Sequence, residues 1–262
     1  MISSKIGSVI PLVLKRKLAI VLSNKYTGFL LGLVYRNKIP FHGVIVDTGK
    51  SEFVRRKTVS DLFFKIYERA EIDHVRSHLD GTYDVIELGG SIGVNSMQIK
   101  KKLYPGKQLL IVEAAPHLAQ ILQSNLDLNA LNQDVKVLNR AIDYSGAKEV
   151  HFCVEESSLS GKVNSASTSK TVTVGTTNLL EIITENSFGE FVLVSDIEGM
   201  EIPIFLEDQD ALKNCKQIFL EIDGVEYKGE KFSINDIICQ IEGLGFEIID
   251  QYHNCVCFNK KF

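Results

Sequence analysis

From Tyr83 onward, short apolar runs of strand length alternate with helix-like segments. This alternation constrains the fold more than any other property of the 262-residue chain. The strands read 84–88, 108–113, 135–139, 191–196, 217–222, 246–250 and 254–259; the helices read 92–103, 116–130, 177–186, 201–207 and 233–243. Strands joined through helices pair in parallel, because each crossover returns the chain to the same end of the sheet. The final pair departs from this. Only Gln251 to His253 separate 246–250 from 254–259, too short a link for a crossover helix, so the last strand runs antiparallel. A hairpin-like pair, 149–154 and 171–175, brackets a Ser-rich loop. The expectation for 81–262 is one α/β domain: a seven-stranded, mostly parallel sheet with helices on both faces.

Residues 1–80 read as an N-terminal extension. A helix is expected over 8–23, with Pro11 in its first turn, and 28–35 is apolar and ambiguous. A hairpin is expected from 41–47 and 51–54 around Thr48-Gly49-Lys50, then a helix over 60–78. His74 and His78 lie four apart on that helix, a spacing that can share a metal, but no H-E-x-x-H pattern or third ligand accompanies them.

Charge is unevenly placed. The net charge is −4, yet residues 1–46 hold seven Lys/Arg (Lys5, Lys15, Arg16, Lys17, Lys25, Arg36, Lys38) and no acid. Such a segment suits an anionic partner, a membrane surface or a phosphorylated carrier, or else forms a solvated basic face. Val9 to Leu14 and Leu18 to Leu22 are apolar but divided by Lys15-Arg16-Lys17, and neither is long enough to span a bilayer. Residues 1–25 are therefore expected to touch a membrane peripherally, if at all. No secretory-signal pattern is present. The five cysteines form no C-x-x-C, which reads as buried free thiols in a reducing, cytoplasmic setting, at most peripheral at the inner face of the membrane.

The corner Tyr83 to Gly93, Y-D-V-I-E-L-G-G-S-I-G, ends a strand in glycines and opens a helix. Glycines let backbone approach a ligand, and the helix N-terminus offers free N–H groups. A dinucleotide fingerprint would need glycine at 88, where Leu88 stands. The pattern is acid-x-Gly-x-x-x-Gly (Glu87, Gly89, Gly93), which suits a ligand with an adenosine and an amino acid but no pyrophosphate. Glu113 follows Gly89 by 24 residues at the next strand end, near the spacing at which an acid accepts from ribose hydroxyls. A third strand end, Asn139 to Asp143, offers Arg140 and Asp143 toward an adenine. A fourth, Val194 to Glu201, crowds Asp196, Glu198 and Glu201 together. Buried carboxylates need a cation, a donor or water. Glu221 and Asp223 end the neighbouring strand.

These residues together resemble the FkbM family of S-adenosylmethionine-dependent methyltransferases. The likeness covers roughly 81–259 and rests on E-L-G-G-S-I-G-V-N-S at 87–96, V-E-A-A-P at 112–116 with Asn125 and Asn129, R-A-I at 140–142, and S-D-I-E-G-M-E at 195–201. Glu87 stands where the family usually has Asp, Gly90-Ser91 where it has Ala-Asn, and Ser195 where it has Lys. The resemblance implies the Rossmann-like, seven-stranded class I methyltransferase sheet. It implies a cofactor site of Glu87, Gly89, Gly90, Ser91, Gly93, Asn95, Ser96, Glu113, Ala114, Arg140, Ala141 and Asp196.

The function this implies is O-methylation of a hydroxyl on a sugar, glycan, glycolipid or related natural product, in polysaccharide and similar pathways. Asp196 is the expected base, with Glu198 second, and the Ser-rich loop 155–170 could face a polyhydroxylated acceptor. A magnesium ion among Asp196, Glu221 and Asp223 is the alternative to a metal-free base. It is the weaker one. Two rivals stand beside this reading. One is a non-catalytic subunit of a glycan-synthesis assembly that keeps the fold. The other is nucleic-acid methylation, against which the absence of an N/D-P-P-Y/F motif and of Trp counts, so no nucleic-acid partner is expected.

Overall fold

A computed structural model describes residues 12–50, 54–154, 162–163, 170–197, 199–222 and 224–261. The chain groups into two compact units, Met1–Arg69 and Ala70–Phe262.

In the first unit, α1 (Leu12–Leu22) and α2 (Lys25–Val34) precede a hairpin of β1 (Lys38–Phe41) and β2 (Val44–Asp47), then α3 (Arg56–Phe64). Asn24 caps α2, its side chain accepting from the Tyr26 and Thr27 amides at 3.0 and 3.1 Å, so the expected 28–35 ambiguity resolves as helix. A Cβ at Gly28 would fall 1.6 Å from the Arg56 carbonyl oxygen, so only glycine allows α2 and α3 to cross at backbone distance. Leu18, Ile20, Val21, Leu22, Tyr26, Leu30, Leu33 and Val34 are exposed. Among the described residues no single helix is long and apolar enough to cross a membrane, and Arg16–Leu22 and Lys25–Val34 are bent by 88°.

Two expectations for this region are corrected. The hairpin lies one strand earlier than 41–47 with 51–54. His42 (φ 42°) and Gly43 (φ 82°) make its tight turn, the pair of left-handed residues that two-residue hairpins demand; 51–53 lie outside the described residues. The single helix over 60–78 is two helices. Lys65 adopts a left-handed conformation (φ 59°) that ends α3, and Glu68 (φ 39°) precedes α4 (Arg69–His78). Residues 8–11 of the expected first helix also lie outside the described residues.

The second unit, which begins within α4, continues with β3 (Asp84–Leu88), α5 (Val94–Lys102), β4 (Leu109–Val112), α6 (Pro116–Leu128) and β5 (Val135–Leu138). A side sheet follows: β6 (Ala141–Ile142), β7 (Glu149–Val154), β8 (Lys162–Val163) and β9 (Lys170–Thr177), in the order β6-β9-β7-β8. Then come α7 (Leu179–Asn186), β10 (Phe191–Ser195), α8 (Glu201–Glu207) and β11 (Cys215–Glu221). The chain closes with the short hairpin β12 (Val225–Tyr227) and β13 (Glu230–Phe232), α9 (Ile234–Gly243), β14 (Phe246–Tyr252) and β15 (Cys255–Lys260). Capping boxes start α7 (Asn178, Glu181) and α9 (Ser233, Asp236).

The main sheet has seven strands in the order β14-β15-β11-β10-β3-β4-β5. β5, β4, β3, β10 and β11 run parallel, and β15 is antiparallel to both its neighbours. This is the expected topology. Alternate residues face opposite sides of the sheet. Ile86, Leu88, Leu110, Leu193, Ile218 and Phe258 join the core with α7, α8 and α9, and the remaining positions face the side covered by α4 and α5. The chain winds outward from β3 in one direction and from β10 in the other, so the β3–β10 junction is the switch point where such sheets bind ligands.

Candidate active site

At the switch point three strand ends are laced together. The Asp196 amide donates to the Leu88 carbonyl at 3.0 Å, and the Gly89 and Gly90 amides donate to the Val112 carbonyl at 2.9 and 3.3 Å. Gly89 (φ 90°) is required here, since a Cβ would lie 2.0 Å from the Asp196 carbonyl oxygen. Gly90 serves packing: a Cβ there would press on Ile111 and Leu122 side chains at 2.4 Å. Ser91 (φ 46°) turns the chain outward, and Gly93 (φ 84°) opens α5.

Glu113 leaves the end of β4 only 6% exposed. Its two carboxylate oxygens each accept a backbone N–H at 2.7 Å, one from Ser91 and one from Ala115. Burial pushes this carboxyl up to about 7, against the pull of the two amide bonds. A carboxylate has roughly four acceptor positions, so two remain for a ligand's hydroxyls. Asn139 fixes this loop from the next strand end, donating to the Glu113 and Ala114 carbonyls at 2.8 and 2.9 Å. Asn125 does the same for the corner, donating to the Ile92 carbonyl at 2.9 Å. Glu87 is 1% exposed inside β3, and Ser96 is buried in the first turn of α5. The Ser91 and Ser96 hydroxyls and the Asn95 carbonyl oxygen are buried without a hydrogen-bond partner.

The third strand end is held by its own loop and by β9. Arg140 is exposed and its guanidinium donates to the Thr176 carbonyl at 3.2 Å, so it lies along β9. Asp143 accepts from the Ser145 amide and hydroxyl at 2.9 and 2.6 Å and closes a turn. Ala141 is buried in β6.

At the fourth strand end Asp196 is half-buried. Glu198 and Asp223 lie outside the described residues, as does most of the Ser-rich loop 155–170. Glu201 is 2% exposed. It accepts from the Ile197 and Gly199 amides at 2.6 and 2.8 Å, and so shapes the loop after Asp196. Sequence spacing hid this because the loop folds back over the helix start.

One neighbour was missed entirely: Glu71, in the first turn of α4. Carboxylate oxygens of Glu71, Asp196 and Glu221 all lie within 4.8 Å of one another. No local pattern links Glu71 to residues more than a hundred positions away; only the packing of α4 on the sheet does. The His74 and His78 pair is engaged elsewhere, with ring nitrogens 3.7 and 2.8 Å from Asp250 Oδ2. Burial holds His74 below the ordinary histidine range. Cys215, Cys255 and Cys257 are buried free thiols, as expected, whereas Cys239 on α9 is exposed, which corrects that expectation for it; burial pushes Cys215 up to about 12.

Among solved structures, a protein in the NADB-Rossmann superfamily from Streptococcus agalactiae aligns at 11% identity, covering 73% of this chain and 68% of that one, with a TM-score of 0.45. The ribosomal protein L11 methylase from Lactobacillus delbrueckii subsp. bulgaricus aligns at 9% identity, covering 74% and 78%, with a TM-score of 0.44. The N-terminal domain of EvdMO1, solved in the presence of SAH and D-fucose, aligns at 10% identity, covering 74% and 84%, with a TM-score of 0.43. No curated protein sequence matches the chain. The family profile described as Methyltransferase FkbM domain matches residues 84–248, more than half of the chain. The chain thus belongs to the FkbM family of S-adenosylmethionine-dependent methyltransferases.

Proposed function

We propose that this enzyme methylates a hydroxyl of a sugar, glycan or related polyhydroxylated acceptor, with Asp196 taking the acceptor's proton. The observation that carries the reading is the juxtaposition at the switch point. Glu113, with two acceptor positions left, and Asp196 flank the same glycine corner, and the Asp196 backbone is pressed against Gly89. The residues present fit the family's cofactor. Glu113 suits the ribose hydroxyls, the buried orphan hydroxyls of Ser91 and Ser96 offer further polar partners, and Gly89 leaves the corner without a side chain.

When bound, S-adenosylmethionine supplies a methyl group on a sulfonium, to which the acceptor oxygen is delivered in line. The protein's share is placement and proton removal. The staple between Asp196 N–H and Leu88 holds the acid at a fixed distance from the corner, and such positioning is worth several kcal/mol in a two-reactant step. A sugar hydroxyl is a weak acid, so a carboxylate within reach speeds its loss of a proton by about 10²–10⁴-fold. Asp196→Asn should therefore retain S-adenosylhomocysteine affinity in calorimetry and lose at least a hundredfold in turnover on glycoside acceptors. Near-normal turnover would remove Asp196 from the mechanism.

A second observation bears on where the acceptor lies. The exposed apolar residues of α1 and α2 stand among Arg16, Lys17, Lys25 and Arg36, in a segment without one acid before Asp47. Apolar area beside uncompensated cations is the chemistry of a helix lying on an anionic lipid surface. We read this pair as a peripheral membrane contact, which suits an acceptor carried on lipid.

A further inference from the structure

We propose that Glu71, Asp196 and Glu221 form a binding site for one divalent cation of the hard, oxygen-seeking class. Three side chains from α4, the end of β10 and the end of β11 bring carboxylate oxygens within 4.8 Å of one another. Ligands on opposite sides of one ion lie about 4.2 Å apart for Mg²⁺ and about 4.8 Å apart for Ca²⁺, taking twice the usual metal–oxygen distance.

A second observation points to an occupant. Glu71 and Glu221 line a cavity of about 10 Å³ together with His74, Asn95, Ser195 and Cys255. That is close to the smallest space that holds one water-sized body. Two polar side chains on its wall, each more than nine-tenths buried, have no hydrogen-bond partner: Asn95 through Oδ1 and Ser195 through Oγ. Buried oxygens of this kind are costly unless satisfied, and both are the neutral oxygen donors that complete a carboxylate cation site. The donor set is nearly all oxygen, which favours magnesium, manganese or calcium over soft metals. Glu221 is further held by Asn254, whose amide donates to it at 3.0 Å.

This site deepens the methyl-transfer reading and rests on it for its chemical use. An ion held by one oxygen of Asp196 would lower the pKa of a hydroxyl that reached it, and the other Asp196 oxygen would take the proton. Its existence is tested without turnover. The full-length protein is titrated with Mn²⁺ alone, and free Mn²⁺ is read by electron paramagnetic resonance, with S-adenosylhomocysteine calorimetry run on the same samples. The expected result is one Mn²⁺ per chain, weakened at least tenfold in Glu71→Gln and in Glu221→Gln, each shown folded by circular dichroism. No binding by the wild type at 1 mM Mn²⁺, about what 4 kcal/mol of affinity would register, overturns the site. Binding unchanged in the folded variants overturns it equally. S-adenosylhomocysteine binding without Mn²⁺ binding rejects the cation and leaves the cofactor reading standing; the reverse outcome rejects the cofactor reading alone.

Discussion

Cofactor affinity should rise with pH through neutrality, and Glu113 should be the cause. Its carboxyl is raised from 4.5 to about 7 by burial. At 1.36 kcal/mol per pH unit this amounts to roughly 3 kcal/mol against the ionised form. The sign follows directly. Between 4.5 and 7 the folded state holds a proton that the unfolded state has released, so stability of the ligand-free enzyme falls as pH rises across that window and levels off above it. A ribose bound through its hydroxyls donates to the carboxylate and so favours the ionised form. Binding then releases a proton below pH 7, and affinity at pH 6 should lie about tenfold below that at pH 8. Calorimetry of S-adenosylhomocysteine at pH 6, 7 and 8, in buffers of different ionisation enthalpy, reads both the affinity and the proton. Glu113→Gln should flatten the profile and cost about 1.5–3 kcal/mol of affinity at pH 8, the worth of a charge-assisted contact. Wild-type affinity that does not change between pH 6 and 8, or a Gln variant with the same slope as the wild type, would refute the reasoning.

Two further outcomes are expected. Gly89→Ala must relieve both a 2.0 Å clash with backbone and a φ of 90°; it should destabilise the protein by about 1–3 kcal/mol in urea unfolding and lower turnover along with cofactor affinity. Flotation with vesicles of phosphatidylglycerol and phosphatidylcholine should carry the protein upward at low salt and less at 0.5 M salt, the range over which about a Debye length of 10 Å collapses. Leu30→Glu with Val34→Glu should leave it at the bottom. Equal recovery with and without anionic lipid would remove the membrane contact.

Much of the main sheet was legible because its strands are apolar runs separated by helices with strong start signals. Asn178 with Glu181 and Ser233 with Asp236 sit where capping boxes belong, and the three-residue link before β15 dictated its direction. The extension was read less well. The run from Ser60 to His78 keeps a helical pattern across a break that Lys65 makes by adopting a left-handed conformation open to any residue at some cost. The small hairpin of β12 and β13, three residues a strand, was too short to register, although Lys228-Gly229 turns it. At the candidate site, Glu87, Gly89, Glu113 and Asp196 could be placed because a parallel sheet puts strand ends side by side. Glu71 could not, nor could the contacts of Glu201 and Asn139, because each follows no period of the chain: α4 settling on the sheet, a loop folding back, an amide reaching across a strand end.

The close approach of Gly89 to the Asp196 carbonyl has a consequence for how this enzyme can be altered. Donor side and acceptor side are not interchangeable parts: one peptide group serves as the strut between them. Grafting a foreign loop after β10 to change the acceptor would shift the glycine corner unless the graft reproduces the course of its first two residues. Adapting residue 89 to a different donor would, in turn, displace the Asp196 backbone. Changes of acceptor preference in such a scaffold should therefore begin beyond Gly199, where the backbone is held by the Glu201 carboxylate.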